Sequence, residues 1–83
     1  MTKIELENAL CMVEKSTVHA SLLPRGDRMT WFYRLEGAPA ELSGWSMISH
    51  CSKREAMKSG ESKKAYFIKA LSYAISLNED STQ

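Results

Sequence analysis

The chain has 83 residues, 43% of them hydrophobic and 25% charged, a balance typical of a folded globular protein rather than a disordered one. Eleven Lys and Arg residues against ten Asp and Glu residues give a formal net charge of +1, which excludes the strongly basic composition of a dedicated nucleic-acid or anionic-membrane binder. We expect a single domain over 1–83 with a thin core, because a chain this short buries only about 60% of its unfolded surface.

Targeting and redox features favour a cytoplasmic protein without a membrane anchor. The amino-terminal segment carries Glu5 and Glu7 where a secretory signal peptide needs an uninterrupted apolar run. The sequence also lacks a run of about 18 apolar residues, the length that a membrane span requires. Cys11 and Cys51 could form one bridge at most, unlike the disulfide framework of small secreted domains.

The first predicted element is a helix from about Lys3 to Lys15. Thr2 is followed three residues later by Glu5, the spacing of a capping box in which each side chain accepts the other residue's backbone N–H. Apolar residues then recur on one helix face, which should pack on the core. This face consists of Leu6, Ala9, Leu10 and Val13.

After this helix the apolar period changes from 3.6 residues to about two, which predicts an antiparallel β-hairpin. The strands should cover residues 16–23 and 29–35, joined by a turn over 24–28 that contains Pro and Gly. The faces expected to lie inward carry Val18, Ala20 and Leu22 on the first strand and Trp31 and Tyr33 on the second.

The middle of the chain gives weaker signals. Residues 36–44 are rich in Gly, Pro and small side chains, so we predict a loop or a single helical turn. Residues 45–50 alternate weakly, with Trp45 and Met47 on one face, and a third strand is the expectation there.

A second helix is predicted in the carboxy-terminal part. Ser52 and Glu55 repeat the capping-box spacing, so this helix should begin directly after Ser52. Gly60 leaves two alternatives open: a short helix that ends there, or one long helix that crosses a weak point costing about 1 kcal/mol. The polar tail, residues 78–83, is expected to fray.

Apolar side chains of residues 61–77 cover roughly twice the 100° arc that a surface helix needs, so we expect this helix to be covered on two sides, the second time either by its own domain or by another molecule. One side, which should meet the first helix or the hairpin, carries Phe67, Ile68, Leu71, Ala74 and Ile75. The predicted fold is α+β, with an N-terminal helix, an antiparallel β-hairpin with a third strand, and a C-terminal helix packed on the sheet.

Catalytic and metal-binding candidates are weak. Two thiols and two imidazoles match the ligand number of tetrahedral zinc, but His50 and Cys51 are adjacent and would point to opposite faces of a strand. Neither Cys11 nor Cys51 belongs to a C-x₂₋₄-C pair, and no nucleophile elbow or glycine-rich phosphate loop occurs. We therefore expect that the protein is not an enzyme and that it binds neither a metal nor a cofactor.

Binding to a larger protein is the function that we prefer. The second apolar side of the last helix would remain after one core is built, and Tyr and Arg are residue types enriched in interfaces. The residues assigned to partner binding are Tyr66, Ala70, Tyr73 and Leu77 on the helix and Arg25 and Arg28 at the hairpin tip. A regulator, inhibitor or adaptor of the kind that phages and plasmids encode fits this description, and a homodimer would use the same surface.

Nucleic-acid binding is the alternative. Segment Lys53–Lys69 contains six basic and two acidic residues, and the hairpin interleaves aromatic and basic side chains. Because strand aromatics usually belong to the core, only Phe32 and Arg34 are expected to face solution there. The residues assigned to this alternative are Phe32, Arg34, Lys53, Arg54, Lys58, Lys63 and Lys64.

Overall fold

The computed structural model of the chain describes residues 2–45 and 49–81, with side chains as far as Asn78. It contains an N-terminal helix, an antiparallel two-stranded hairpin and a C-terminal helix, and so confirms the α+β fold. The elements in chain order are α1 (Lys3–Lys15), β1 (Thr17–Arg25), β2 (Arg28–Glu36) and α2 (Lys53–Ser81).

Helix α1 begins and ends as its sequence predicts. The backbone N–H of Glu5 donates to Thr2 Oγ1 (3.2 Å), and the backbone N–H of Thr2 donates to Glu5 Oε1 (3.4 Å), which completes the capping box. At the other end both the N–H and the hydroxyl of Ser16 donate to the carbonyl of Val13, so the last turn keeps a partner for its exposed carbonyl. The buried residues are Leu6, Ala9 and Val13, with Leu10 half-buried.

The hairpin has longer strands and a shorter turn than predicted. Arg25 and Arg28 are paired across a two-residue loop, so the turn consists of Gly26 and Asp27 alone. Gly26 has φ +64° at the first central position, as in a type II′ turn, whose twist matches that of the flanking strands. Pro24 is tolerated within β1 because a two-stranded sheet has only edge strands, where a missing N–H need not break a ladder.

The predicted third strand is not shown. Residues 46–48 lie outside the described part of the chain, and of the described residues in 45–50 only His50 pairs with β2. The His50 N–H donates to the Trp31 carbonyl (3.1 Å), and the Trp31 N–H donates to the His50 carbonyl (3.3 Å). Before it, the Pro39 carbonyl accepts from Leu42 and Ser43, which forms a single helical turn.

Helix α2 is continuous across Gly60, which decides between the two predicted alternatives. Its start is capped by Ser52, whose hydroxyl accepts the Glu55 N–H (3.2 Å), while the Glu55 carboxylate accepts from the backbone of Cys51 (3.2 Å). Gly60 is buried, and a Cβ there would lie 2.3 Å from Val18 Cγ1. The glycine therefore lets the helix approach the hairpin more closely than any side chain would, which outweighs its low helix propensity.

The hairpin and α1 pack along different halves of α2. Val18 of the hairpin meets α2 at Gly60, whereas Ser16, at the end of α1, accepts a hydrogen bond from Lys64 Nζ (2.8 Å). Ala9 lines the same cavity as Leu71, so α1 runs antiparallel to the second half of α2. The core cluster between these elements contains Val13, Val18, Tyr33, Leu35, Ala38 and Ala56, and partly buried Phe67, Ile68 and Leu71 pack against it.

Candidate functional site

Three large exposed apolar side chains lie along the second half of α2. We call Tyr66, Ala70, Tyr73 and Leu77 the tyrosine stripe. Tyr66 is 62% exposed, Tyr73 65% and Leu77 50%, and Ala70 is exposed as well. These side chains lie outside the core, as the sequence predicts.

The stripe is left uncovered because α1 and the hairpin occupy the other side of α2. At 100° per residue, the stripe is centred roughly 130° around the helix from Leu71, which packs against the core. A two-stranded sheet and one short helix cover a single side of α2. The apolar arc of α2 is wider than this cover, so its remainder faces solvent.

A shallow cleft of about 300 Å³ lies in the middle of the stripe. Its walls are Tyr66 and Tyr73, Ala70 lies between them, and Lys69 forms its fourth side. The small Ala70 side chain between two large rings makes this depression, because a larger residue would fill the space between the tyrosines.

Lys63 extends the surface towards the core. Its Nζ lies 5.8 Å from the ring centroid of Tyr66 and 5.7 Å from that of Phe67, and the two rings are 5.8 Å apart in a tilted arrangement. Such contacts at exposed sites are worth about 0.5–1 kcal/mol each. Residues 62–78 contain no Asp or Glu, so the charges that this part of α2 itself places beside the stripe, Lys63 and Lys69, are positive.

The two predicted partner-binding arginines are not brought to the stripe. Arg25 and Arg28 are exposed at the hairpin tip, and Arg25 Nη1 donates to Ser49 Oγ just before α2 begins. Leu77, at the end of the stripe, lies about 36 Å along the helix axis from Lys53. Tyr66, Ala70, Tyr73 and Leu77 thus form one surface, and the arginines belong to another.

The expectation that Phe32 faces solution is wrong, since its side chain is only 8% exposed. Phe32 shares its strand face with Arg34, whose Cζ lies 5.0 Å from the ring centroid of Trp45. His19 on β1 is 5.9 Å from the same ring. The chain after β2 therefore folds back over this face, which the alternation of the strand alone could not reveal. Arg34 is half-buried, and its Nε has no hydrogen-bond partner among the described residues.

The basic residues of the predicted nucleic-acid segment fall into separate places. Lys53, Arg54 and Lys58 are exposed on the first half of α2, Lys63 lies over the aromatic rings, and Lys64 is half-buried. Lys64 donates to the Ser16 carbonyl (2.8 Å), a structural role that sequence reasoning missed. Lys64 follows Gly60 by four residues and therefore lies on the same, packed side of the helix. This spacing is the sequence feature that could have indicated its structural role.

The thiols and imidazoles considered for zinc binding are dispersed. Cys11 and Cys51 are both exposed and free, and the His50 ring lies 5.8 Å from that of Tyr33. Within residues 2–45 and 49–78, no group of three or more His, Cys, Asp or Glu side chains is placed to hold a metal ion.

Neither described helix has the length and the apolar character needed to cross a membrane. The chain matches no known protein family, no curated protein and no solved structure.

Proposed function

We propose that the chain is a non-enzymatic, cytoplasmic protein that binds a larger protein through the tyrosine stripe and modulates it, as an adaptor, inhibitor or accessory regulator. Proteins of this kind include many that phages and plasmids carry. The observation that carries the proposal is the exposure of Tyr66 and Tyr73, at 62% and 65%, on an ordered helix. Two large apolar rings in water on a rigid element are typical of an interface that is dry only when bound.

Tyrosine suits such a surface for two reasons. Its ring contributes a large contact area with few rotatable bonds, and its hydroxyl stays hydrated in the free protein and finds a polar partner in the complex. Helix α2 also holds Tyr66 and Tyr73 two turns apart, so little ordering entropy remains to be lost on binding.

A reducing compartment is part of the proposal. Cys11 on α1 and Cys51 before α2 are exposed and unpaired. Exposed free thiols persist in the cytosol, whereas oxidising compartments favour their conversion to disulfides.

Affinity capture from the native host, read out by mass spectrometry, tests the proposal. The bait is the full chain, compared with a Tyr66→Ala/Tyr73→Ala variant and with a Ser72→Ala/Ser76→Ala control on an exposed polar part of the same helix. We expect a protein that co-purifies with the wild type and the serine control and is lost from the tyrosine variant. Direct titration of that purified protein should then reproduce the loss. Equal capture by all three baits would contradict the proposed site.

Nucleic-acid binding is the second candidate, and one observation favours it. Arg25 and Arg28 at the hairpin tip lie near the start of α2, which carries Lys53 and Arg54, and all four are exposed. If DNA or RNA is the ligand, reversing the charge of Lys53 and Arg54 should lower affinity and reduce the slope of log affinity against log salt by about one per lost phosphate contact. A gel shift at low salt that detects no complex with duplex or single strands would remove this candidate.

A further inference from the structure

The cleft in the tyrosine stripe has the residue spacing of a helix-packing hole. Its four residues, Tyr66, Lys69, Ala70 and Tyr73, occupy positions i, i+3, i+4 and i+7 of α2. In coiled-coil packing, four residues of one helix surround a hole that receives a single side chain, the knob, of the facing helix. The cleft volume of about 300 Å³ leaves room for a large apolar knob.

The stripe continues this pattern beyond the cleft to Leu77. Tyr66, Ala70, Tyr73 and Leu77 are separated by four, three and four residues, the alternation that defines an apolar seam with a period of 3.5, and Lys63 lies three residues before its first member. The seam spans about 17 Å of helix. A surface of this shape is straight and narrow, and a helix crossing at about 20° would remain in contact with it over its whole length.

The charges beside the seam determine which kind of partner helix would bind more favourably. Lys69 forms one side of the hole and Lys63 lies over the ring of Tyr66, while no carboxylate occurs from residue 62 to residue 78. A partner with Asp or Glu beside its apolar seam would pair with both ammonium groups. A second copy of this chain would instead oppose one lysine-flanked seam to another, which like-charge repulsion disfavours.

We propose that the tyrosine stripe binds one amphipathic α-helix of the partner, with acidic residues flanking its seam and a bulky apolar side chain inserted between Tyr66 and Tyr73. This inference rests on the proposed function and specifies its partner. Ala70 sets the depth of the hole, and Lys69 and Lys63 select for acidic flanks.

Labelled stapled peptides of about two heptads test the inference by fluorescence anisotropy with the full chain. One peptide has leucine at the seam and glutamate at the flanking positions, and the other has lysine in place of glutamate. We expect the glutamate peptide to bind about two- to fivefold more tightly, the effect of one or two exposed ion pairs. Lys69→Glu should reverse the preference.

The decisive variant is Ala70→Leu, which fills the hole yet leaves the surface apolar. Its matched control is Ala65→Leu, the same substitution at an exposed alanine outside the stripe. We expect Ala70→Leu to lower affinity for the glutamate peptide at least about tenfold, as loss of a central anchor does, and Ala65→Leu to leave it unchanged. Circular dichroism of both variants checks that the helix is intact.

Several results would overturn the inference: no binding of either peptide, equal binding of both, or full affinity in Ala70→Leu. A dimer of the chain alone, seen by light scattering and dissociated by Ala70→Leu, would make a second copy the occupant and overturn it too. The proposed function fails separately. It stands if the wild type still captures a host protein that Tyr66→Ala/Tyr73→Ala loses, and it falls if that capture is unchanged.

Discussion

In α2 small side chains are buried in the first half and the largest side chains are exposed in the second half, the reverse of the usual relation between side-chain size and burial. In the first half the buried residues are small, with Ala56 fully buried and Gly60 pressed against Val18. In the second half the largest side chains, Tyr66 and Tyr73, are mostly exposed. The first half meets a sheet at close range at Gly60, where no side chain would fit. The second half packs on α1 along one side only and retains apolar surface that folding does not use.

The largest effect on stability should come from the core beside the first half. Leu35 is 1% exposed and belongs to the core cluster, so Leu35→Ala should lower the free energy of unfolding by about 2–5 kcal/mol. Leu77→Ala, the same change at a half-exposed residue of the stripe, should cost less than about 0.5 kcal/mol. Urea denaturation of the two variants measures the difference, and similar losses would remove the distinction between core and stripe.

A smaller loss is expected when a methyl group is added at the contact between α2 and the hairpin. In Gly60→Ala the new Cβ would lie 2.3 Å from Val18 Cγ1 and 3.2 Å from Tyr33 Cδ2. Overpacking costs about 1–3 kcal/mol, against a gain in helix propensity of about 1 kcal/mol, so we expect a net loss of up to about 2 kcal/mol. Gly44→Ala, at a glycine with open space around its Cβ position, is the control and should be nearly neutral.

The contact between Gly60 and Val18 can be relaxed by shortening the Val18 side chain. In a Val18→Ala background the methyl groups that oppose the new Cβ are absent, so Gly60→Ala should become neutral or stabilising there. A double-mutant cycle measured by thermal denaturation would show this coupling. Simple additivity would mean that the helix and the hairpin are not in close contact at this point.

The hydrogen bond between α2 and the end of α1 should give the smallest measurable loss. Lys64 Nζ donates to the Ser16 carbonyl at 2.8 Å, in a partly buried position. Lys64→Met keeps the aliphatic stem and removes the donor, which should cost about 1 kcal/mol. Lys69→Met, at an exposed position beside the stripe, should leave the urea midpoint unchanged.

The elements whose signals are local could be predicted from the sequence. The starts of α1 and α2 follow from Thr2 with Glu5 and from Ser52 with Glu55, because the hydroxyl of each N-cap residue accepts a backbone N–H only three residues further on. The exposure of Tyr66 and Tyr73 also followed, since the periodicity of one helix and the small size of the domain together limit what can be covered.

The features that the sequence did not reveal depend on contacts between distant residues. Glycine is a residue type that often interrupts a helix, yet Gly60 lies within one and forms a packing contact with Val18. The alternation of β2 predicts that Phe32 faces solvent, but the chain around Trp45 returns over the same strand face. The sequence predicts Lys64 only as one charge of a basic segment, whereas its ammonium group donates a hydrogen bond to the Ser16 carbonyl at the end of α1. Each outcome is decided by tertiary packing, which local propensity and periodicity do not encode.

The most direct test of the account is the stability of the Tyr66→Ala/Tyr73→Ala variant, measured by urea denaturation at two protein concentrations. Both rings lie mainly in solvent, so their removal should change the free energy of unfolding by less than about 1 kcal/mol, with no dependence on concentration and the same helical circular dichroism. A loss of about 3 kcal/mol or more in a monomer would place the tyrosines in the core, and α2 would then have no free surface to offer a partner.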